Sequence, residues 1–452
     1  MRREAAERRN SQCLARVSED VPAHGNVPGP GGPEMNGLPR ARLAVISMHT
    51  SPTAALGQSA NGGMNVYIRE VCRSFSGCDI ATDVFTRRMD GDNREVEWIA
   101  PRSRVVYLPV GVDADKYGQI DYVDDFARGL IEFASRERVE YDVVYSHYWL
   151  SGLVAAQLRT RSDLAWVHTA HTLALVKNRS LAPGARAEPP ERVLGERQIA
   201  AGADLLIAST VDEAADLVEL YDADPRRVTV VAPGVDLATF RPLPREAART
   251  QIGIPDGTPL LLFVGRLERL KGVDLILRAV SLLVVDYPDL RLLVVGEDSR
   301  DAQESEKERL RAIASELGVA ERAEFRGSVP HHALPSFYSA ADVCLMPSYS
   351  ESFGLVGLEA QACGCPVIAA NVAGLVSVVR DGMTGFLVDV PDAGTYADRV
   401  RRLLDDRTLA DQMGRRGVML AQRFPWSATA GRVWAAMETL IAPPIEEAVP
   451  QG

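Results

Sequence analysis

Lysine is nearly missing from this 452-residue chain: among 50 basic residues, only Lys116, Lys177, Lys271 and Lys307 carry an ammonium group. Arginine serves almost everywhere else, so each retained lysine is a place to look for a compact point charge. Cysteine is scarce too. Six in so long a chain (Cys13, Cys72, Cys78, Cys344, Cys363 and Cys365) are too few for a disulfide framework, and most sit in apolar segments, which points to a reducing cytoplasm. Cys363 and Cys365 form a C-x-C with no second pair and no neighbouring His, so packing rather than zinc is expected there. No apolar run, the one from Pro259 to Val264 included, approaches the ~18 residues of a membrane span. A basic surplus is also lacking. The net charge is −11, which argues against a nucleic-acid binder relying on phosphate neutralisation and leaves room only for local basic pockets.

The chain does hold 46% hydrophobic and 25% charged residues, an ordinary globular balance, over a length about three times that of a common domain. Two domains are therefore expected. Residues 1–40, rich in Arg, Glu, Gly and Pro, cannot bury a core and read as a tail; no apolar block follows the early arginines, so no secretory signal is expected. From Arg42 short apolar strands alternate with helical stretches, the pattern of a parallel sheet with crossover helices. The first half offers strands at Leu43–Met48, Ile80–Phe85, Val105–Pro109, Asp142–Tyr145, Ala165–His168, Leu205–Ala208 and Val228–Val231. The rhythm breaks in the Pro- and Gly-interrupted segment Pro233–Pro244 and restarts at Leu260–Val264, Arg291–Val295, Ala323–Phe325, Asp342–Met346, Pro366–Ala369 and Gly385–Val388. The fold class is thus α/β, two doubly wound Rossmann-like domains at 41–235 and 236–425. A final amphipathic helix at 426–442 is expected to pack back on the first domain, and a tail at 443–452 follows. Ligands of such sheets collect at the carboxyl ends of strands, so the cleft between the domains is the default site.

Residues suited to chemistry fall at those strand ends. The first strand leads through a small-residue loop to Gly62, Gly63, Met64 and Asn65, where a helix opens; adjacent glycines and free helix amides suit a diphosphate. The first strand of the second half is followed by Arg266 and Lys271, two cations five residues apart that could clamp the same group. Glu351 and Glu359 bracket Ser352–Leu358, with a helix expected near Phe353–Cys363, and eight residues of helix turn the face by about 80° beyond two turns, so both carboxylates could look toward one cleft edge. His168 and His171 lack a third ligand at metal-like spacing, and the D-x-D pairs Asp113/Asp115 and Asp222/Asp224 read as loop and turn, so no metal is assigned.

Taken together, the tandem α/β halves, the Gly-Gly-Met-Asn loop, Arg266 with Lys271 and the Glu-x7-Glu pair resemble glycosyltransferase family 4, retaining enzymes of the GT-B fold. The resemblance spans about residues 41–442. Within it, His49–Pro52, Gly62–Asn65, Ser146–Gly152, His168–Thr172, Val176–Asn178 and Glu188–Val193 are similar to stretches of the D-inositol-3-phosphate glycosyltransferases of mycothiol biosynthesis. The resemblance implies UDP-N-acetylglucosamine as donor, bound by the second domain, and an inositol phosphate as acceptor, bound by the first. It implies that Gly62, Gly63, Arg266 and Lys271 hold the diphosphate, Glu359 the ribose, Glu351 the donor sugar and the Val329 backbone the uracil. His171 would face the sugar near the reacting carbon; with Arg266, Lys271 and Glu351 it makes up the catalytic set. Lys116, Tyr148, Thr172 and Arg192 would clamp the acceptor phosphate, with His49 and Asn65 beside the inositol ring.

Three positions depart from that family's usual pattern: the loop Gln58–Asn61, the Val110–Val112 segment and Cys365. They bear on the acceptor more than on the donor. No cofactor is implied beyond the UDP-sugar co-substrate, no nucleic acid or membrane span is expected, and homodimerisation is left open. Two other readings stand beside this one. A sucrose-phosphate-synthase-like transferase would use UDP-glucose and a sugar phosphate or other cyclitol, and a UDP-sugar epimerase or hydrolase would share the nucleotide cleft without an acceptor phosphate site.

Overall fold

The computed structural model describes residues 38–54, 62–88, 94–112, 117–298 and 304–441. Lys116, Asp113, Asp115 and the loop Gln58–Asn61 lie outside them. The first lobe is built on eight strands: β1 (Ala41–Ile46), β2 (Ile80–Arg87), β3 (Val96–Ala100), β4 (Ser103–Leu108), β5 (Val143–His147), β6 (Ala165–Thr169), β7 (Leu205–Ala208) and β8 (Val228–Val230). Their order across the sheet is β3-β4-β2-β1-β5-β6-β7-β8. The second lobe has six: β9 (Leu260–Val264), β10 (Arg291–Val295), β11 (Ala323–Gly327), β12 (Val343–Met346), β13 (Val367–Ala370) and β14 (Gly385–Val388), in the order β11-β10-β9-β12-β13-β14.

All pairings are parallel except β3 with β4. The near-continuous apolar runs follow from that, because a parallel strand is covered on both faces. In β1, Leu43 and Val45 feed one core layer while Ala44 and Ile46 feed the opposite one. In β9, Leu260 and Leu262 face one layer, Leu261 and Phe263 the other. The edge strand β3 and the helices Tyr148–Arg159, Ala174–Arg179, Arg245–Ile252 and Ala373–Val378 add to the elements expected from sequence. The thiols of Cys72, Cys344, Cys363 and Cys365 are free and buried, and burial pushes each of them up.

The last helix, Trp426–Glu438, follows the second sheet in sequence but packs on the first lobe. Trp426, Val433, Trp434 and Met437 share a core layer with Val66, Tyr67, Val71 and Phe75 of helix Gly63–Ser76. The Trp434 ring meets Phe75 edge-on at 6.5 Å, and Thr429 donates a hydrogen bond to the Ala232 carbonyl at 2.9 Å. Where the chain crosses between lobes, the two passages lie side by side: the Val235 amide donates to the Phe424 carbonyl at 2.8 Å.

Candidate functional site

A cavity of about 1270 Å³ lies between the lobes, at the carboxyl ends of both sets of strands. Its first-lobe wall is made by His49, Gly62, Gly63, Tyr148, His171 and Thr172, its second-lobe wall by Arg266, Lys271, Val329, Glu351 and Glu359.

The glycine-opened helix Gly63–Ser76 points its first amides into this space, with no acidic residue in its first turn to compete for them. A Cβ added to Gly62 would lie 3.8 Å from Arg266 Nε, and one on Gly63 only 2.9 Å from Leu355 Cδ1, so the lobes already meet at these glycines. Across the gap, β9 is followed by Gly265 (φ +152°) and β10 by Gly296 (φ +147°). A side chain on Gly296 would strike the Gly265 carbonyl at 1.8 Å, which is why the backbone there can be so compact. Arg266 follows, its guanidinium 3.0 Å from Glu268. Lys271 ends a short 3₁₀ turn, Arg269–Lys271, and its Nζ lies 2.6 Å from Glu351 Oε2. Two cations from one strand end therefore face the helix amides of the other lobe, an arrangement that can bind a diphosphate.

The two glutamates reach the cleft differently from the sequence expectation. The helix begins only at Leu355, because Gly354 (φ +96°) closes the preceding turn, so Glu351 projects from a loop and Glu359 alone from the helix. Glu359 is held by two groups that sequence reasoning missed: His331 Nε2 at 2.7 Å and the Tyr338 hydroxyl at 3.1 Å. Nothing in the spacing of residues 331 and 359 signals that contact.

On the first-lobe wall, His171 and Tyr148 adopt left-handed backbone conformations (φ +59° and +73°), unusual for residues with bulky side chains. His171 Nε2 lies 3.0 Å from His147 Nδ1, and burial holds the His171 ring well below its ordinary pKa, at about 3. It is neutral at neutral pH and can act as a hydrogen-bonding partner, not as a charge. His49 packs against Tyr148 with ring centroids 4.4 Å apart.

Asn65 and Arg192 do not reach the cavity. Asn65 is buried and donates to Thr50 Oγ1 and the Ser51 carbonyl, both at 3.0 Å, fixing the loop after β1. The Arg192 side chain is wholly buried beneath the wall, with Nε 2.7 Å from Glu196 and Nη1 3.0 Å from Glu188. It donates to both oxygens of Thr172 and its guanidinium lies 4.9 Å from the Tyr148 ring centre. Asp222 and Asp224 serve as turn residues: Asp222 ends helix Val211–Tyr221 with φ +57°, and Asp224 caps the turn Pro225–Arg227. No group of three or more potential metal ligands occurs among the described residues. Nor is any described helix long and apolar enough to cross a membrane.

Two α/β lobes closing on a crevice with two cations and glycine-opened helix amides define a GT-B glycosyltransferase. The chain belongs to glycosyltransferase family 4: residues 62–234 match the glycosyl transferase 4-like domain and residues 244–418 the glycosyl transferases group 1 domain. It is 43% identical to the D-inositol 3-phosphate glycosyltransferase of Thermobispora bispora, over 91% of this chain and 97% of that one. With the enzyme of the same name from Geodermatophilus obscurus it shares 44% identity, covering 88% and 89% of the two chains. Among solved structures it resembles sucrose-phosphate synthase from Thermosynechococcus elongatus, with 31% identity, a TM-score of 0.82 and coverage of 89% and 99%.

Proposed function

We propose that the protein is a retaining hexosyltransferase that moves N-acetylglucosamine from UDP-N-acetylglucosamine to 1D-myo-inositol 3-phosphate, a step of mycothiol biosynthesis. The observation that carries the donor half is the convergence of Arg266, Lys271 and the Gly62–Gly63 helix start on one crevice. The acceptor half is supported by the name and the 43–44% identity of the relatives.

In this reading the bond between the sugar's anomeric carbon and the β-phosphate oxygen breaks, and an inositol hydroxyl bonds to that carbon from the same face. The hydroxyl proton passes to the departing phosphate. Arg266, Lys271 and the helix amides stabilise the charge gathering on the leaving diphosphate, which is greater in the transition state than in the bound donor. Glu351 orients the sugar while steadying Lys271, Glu359 takes the ribose hydroxyls, and the Val329 backbone meets the uracil. Neutral His171 hydrogen-bonds the sugar beside the reacting carbon. Lys116, Tyr148 and Thr172 receive the acceptor phosphate, with His49 beside the ring and Arg192 fixing Thr172 from behind. Closure of the lobes excludes water that would hydrolyse the donor. The reading calls on no metal or other cofactor and assigns the enzyme to the cytoplasm.

The 31% identity and TM-score of 0.82 to a sucrose-phosphate synthase favour a second reading, UDP-glucose with a sugar phosphate acceptor. Purified protein incubated with each donor and acceptor pair decides between them. Release of UDP above the no-acceptor control with UDP-N-acetylglucosamine and inositol 3-phosphate, together with an α-configured product by NMR, is the expected result. UDP release only with UDP-glucose and a hexose phosphate would overturn the acceptor and donor assignment. Sugar products formed equally without acceptor would point to an epimerase or hydrolase.

A further inference from the structure

Three groups near the acceptor end of the cavity converge on one carboxylate. The Tyr117 hydroxyl donates to Glu188 Oε2 at 2.5 Å, Arg192 Nη1 lies 3.0 Å from the same oxygen, and Lys177 Nζ pairs with Oε1. Glu188 lines the cavity, as do Tyr117 and Lys177. Its backbone is pinned separately: the Glu188 amide donates to Asn178 Oδ1 at 2.7 Å, and Asn178 Nδ2 donates to the Glu188 carbonyl at 3.3 Å. The side chain can therefore turn without moving the strand of chain that carries it. Glu196, the other carboxylate on Arg192, is differently placed. It lies below the wall, accepting from the Ala174 amide and the Tyr221 hydroxyl as well, and belongs to the scaffold.

We propose that Glu188 is a place-holding anion, which organises Lys177 and Arg192 while the acceptor is absent and gives up its place when the acceptor's phosphate arrives. Among the described residues Lys177 and Arg192 are matched by Glu188 and Glu196, and a phosphate entering beside Glu188 would meet direct repulsion from that carboxylate. Turning Glu188 aside would uncover Arg192 Nη1, which that carboxylate screens from the cavity, so a phosphate held by Tyr148 and Thr172 would take over the pairing with the guanidinium and with Lys177. It makes Glu188 a specificity-determining residue, because an acceptor lacking a phosphate cannot replace it. The inference rests on the proposed phosphorylated acceptor.

The test is calorimetric titration of inorganic phosphate into the full-length protein in the presence of saturating UDP. Glu188→Gln is expected to bind phosphate about tenfold more tightly than wild type, the scale expected when one like charge is removed from an anion site. Glu188→Asp, which keeps the charge, is expected to stay within a fewfold of wild type. UDP affinity and thermal midpoint serve as checks on folding, and Glu188→Ala is measured in the same way should the Gln variant fold poorly. Phosphate binding that is unchanged or weaker in folded Gln and Ala variants overturns the inference. Failure of the acceptor reading looks different: the variants would still gain phosphate affinity while wild type releases no UDP with inositol 3-phosphate.

Discussion

Lys271, half-buried, and Arg192, wholly buried, are both cations in ion pairs, yet removing them has different consequences. Lys271 faces the cavity and meets a single carboxylate, so Lys271→Ala is expected to lower kcat by about 10²–10³ with any acceptor while the melting temperature moves little; UDP-release kinetics check it. Arg192 is held between Glu188 and Glu196 with no exposed atom, and Arg192→Ala would remove the buried guanidinium that both carboxylates share. A loss of roughly 3–5 kcal/mol of stability is expected, read by chemical denaturation, where the family resemblance implied only a contact with the acceptor phosphate. The i, i+4 spacing of residues 188, 192 and 196 was a visible signal for these pairs. What it could not give was depth: Glu, Arg and Glu at four-residue spacing across the start of helix Pro190–Gly202 read equally well as solvated surface. The histidines make a further point. Burial lowers His168 and His171 from 6.5 to about 3, so below pH 6.5 the unfolded chain takes up protons that the folded one refuses. Stability must then rise with pH between about 3 and 6.5, by up to ~1.4 kcal/mol per unit for each such ring. Glu213, raised by burial to about 7, works the other way between 4.5 and 7. A thermal midpoint that falls from pH 6.5 to 5, less steeply in His168→Gln, is expected from differential scanning calorimetry.

At the level of elements, the strands were the most legible part, since most carry an apolar run bounded by turn residues. Strand β3 escaped because it is an antiparallel edge with a register shift between Trp98 and Ala100 and is buried only partway along its whole length. Helix Tyr148–Arg159 escaped because it has no side-chain cap and starts from a left-handed tyrosine, a conformation no sequence rule would assign there. Short-range geometry also decides how Lys271 is presented. Gly272 (φ +66°) joins its 3₁₀ turn to helix Val273–Leu283, and a Cβ there would lie 2.4 Å from the Pro347 carbonyl. Gly272→Ala should therefore displace the ammonium as well as strain the turn. The expected effect is a fall in kcat/KM of about tenfold or more together with about 1–3 kcal/mol lost in stability, checked by kinetics and denaturation on the same preparation. A kinetic loss without any change in stability would mean that the turn adjusts at the expense of the lysine alone.

The whole molecule is two lobes that share one chain end. Trp426, Val433 and Trp434 complete the first lobe's core although their sequence follows the second lobe, so the first lobe is not finished until helix Trp426–Glu438 has been made. A chain stopped at Arg423 is expected to uncover Tyr67 and Phe75 and to melt in two calorimetric transitions, where the full protein shows one; coincident transitions in both would contradict this coupling. Further contacts join the lobes at the cleft, where Arg269 Nη1 meets the Pro183 carbonyl at 3.4 Å and Leu355 abuts Gly63.

The paired passage at Val235 and Phe424 has a mechanical outcome. A single linker would let the halves twist and slide like beads on a thread. Two threads bonded to each other, with Gly234 pressed so close to Trp426 that a Cβ would come within 2.8 Å of its backbone, act as a pair of pins in one door frame. Those bonds oppose shear and rotation along that line more than swinging about it, so an opening and shutting of the lobes is expected to follow one arc and to return Arg266 and Lys271 to the same register opposite the Gly62–Gly63 helix start.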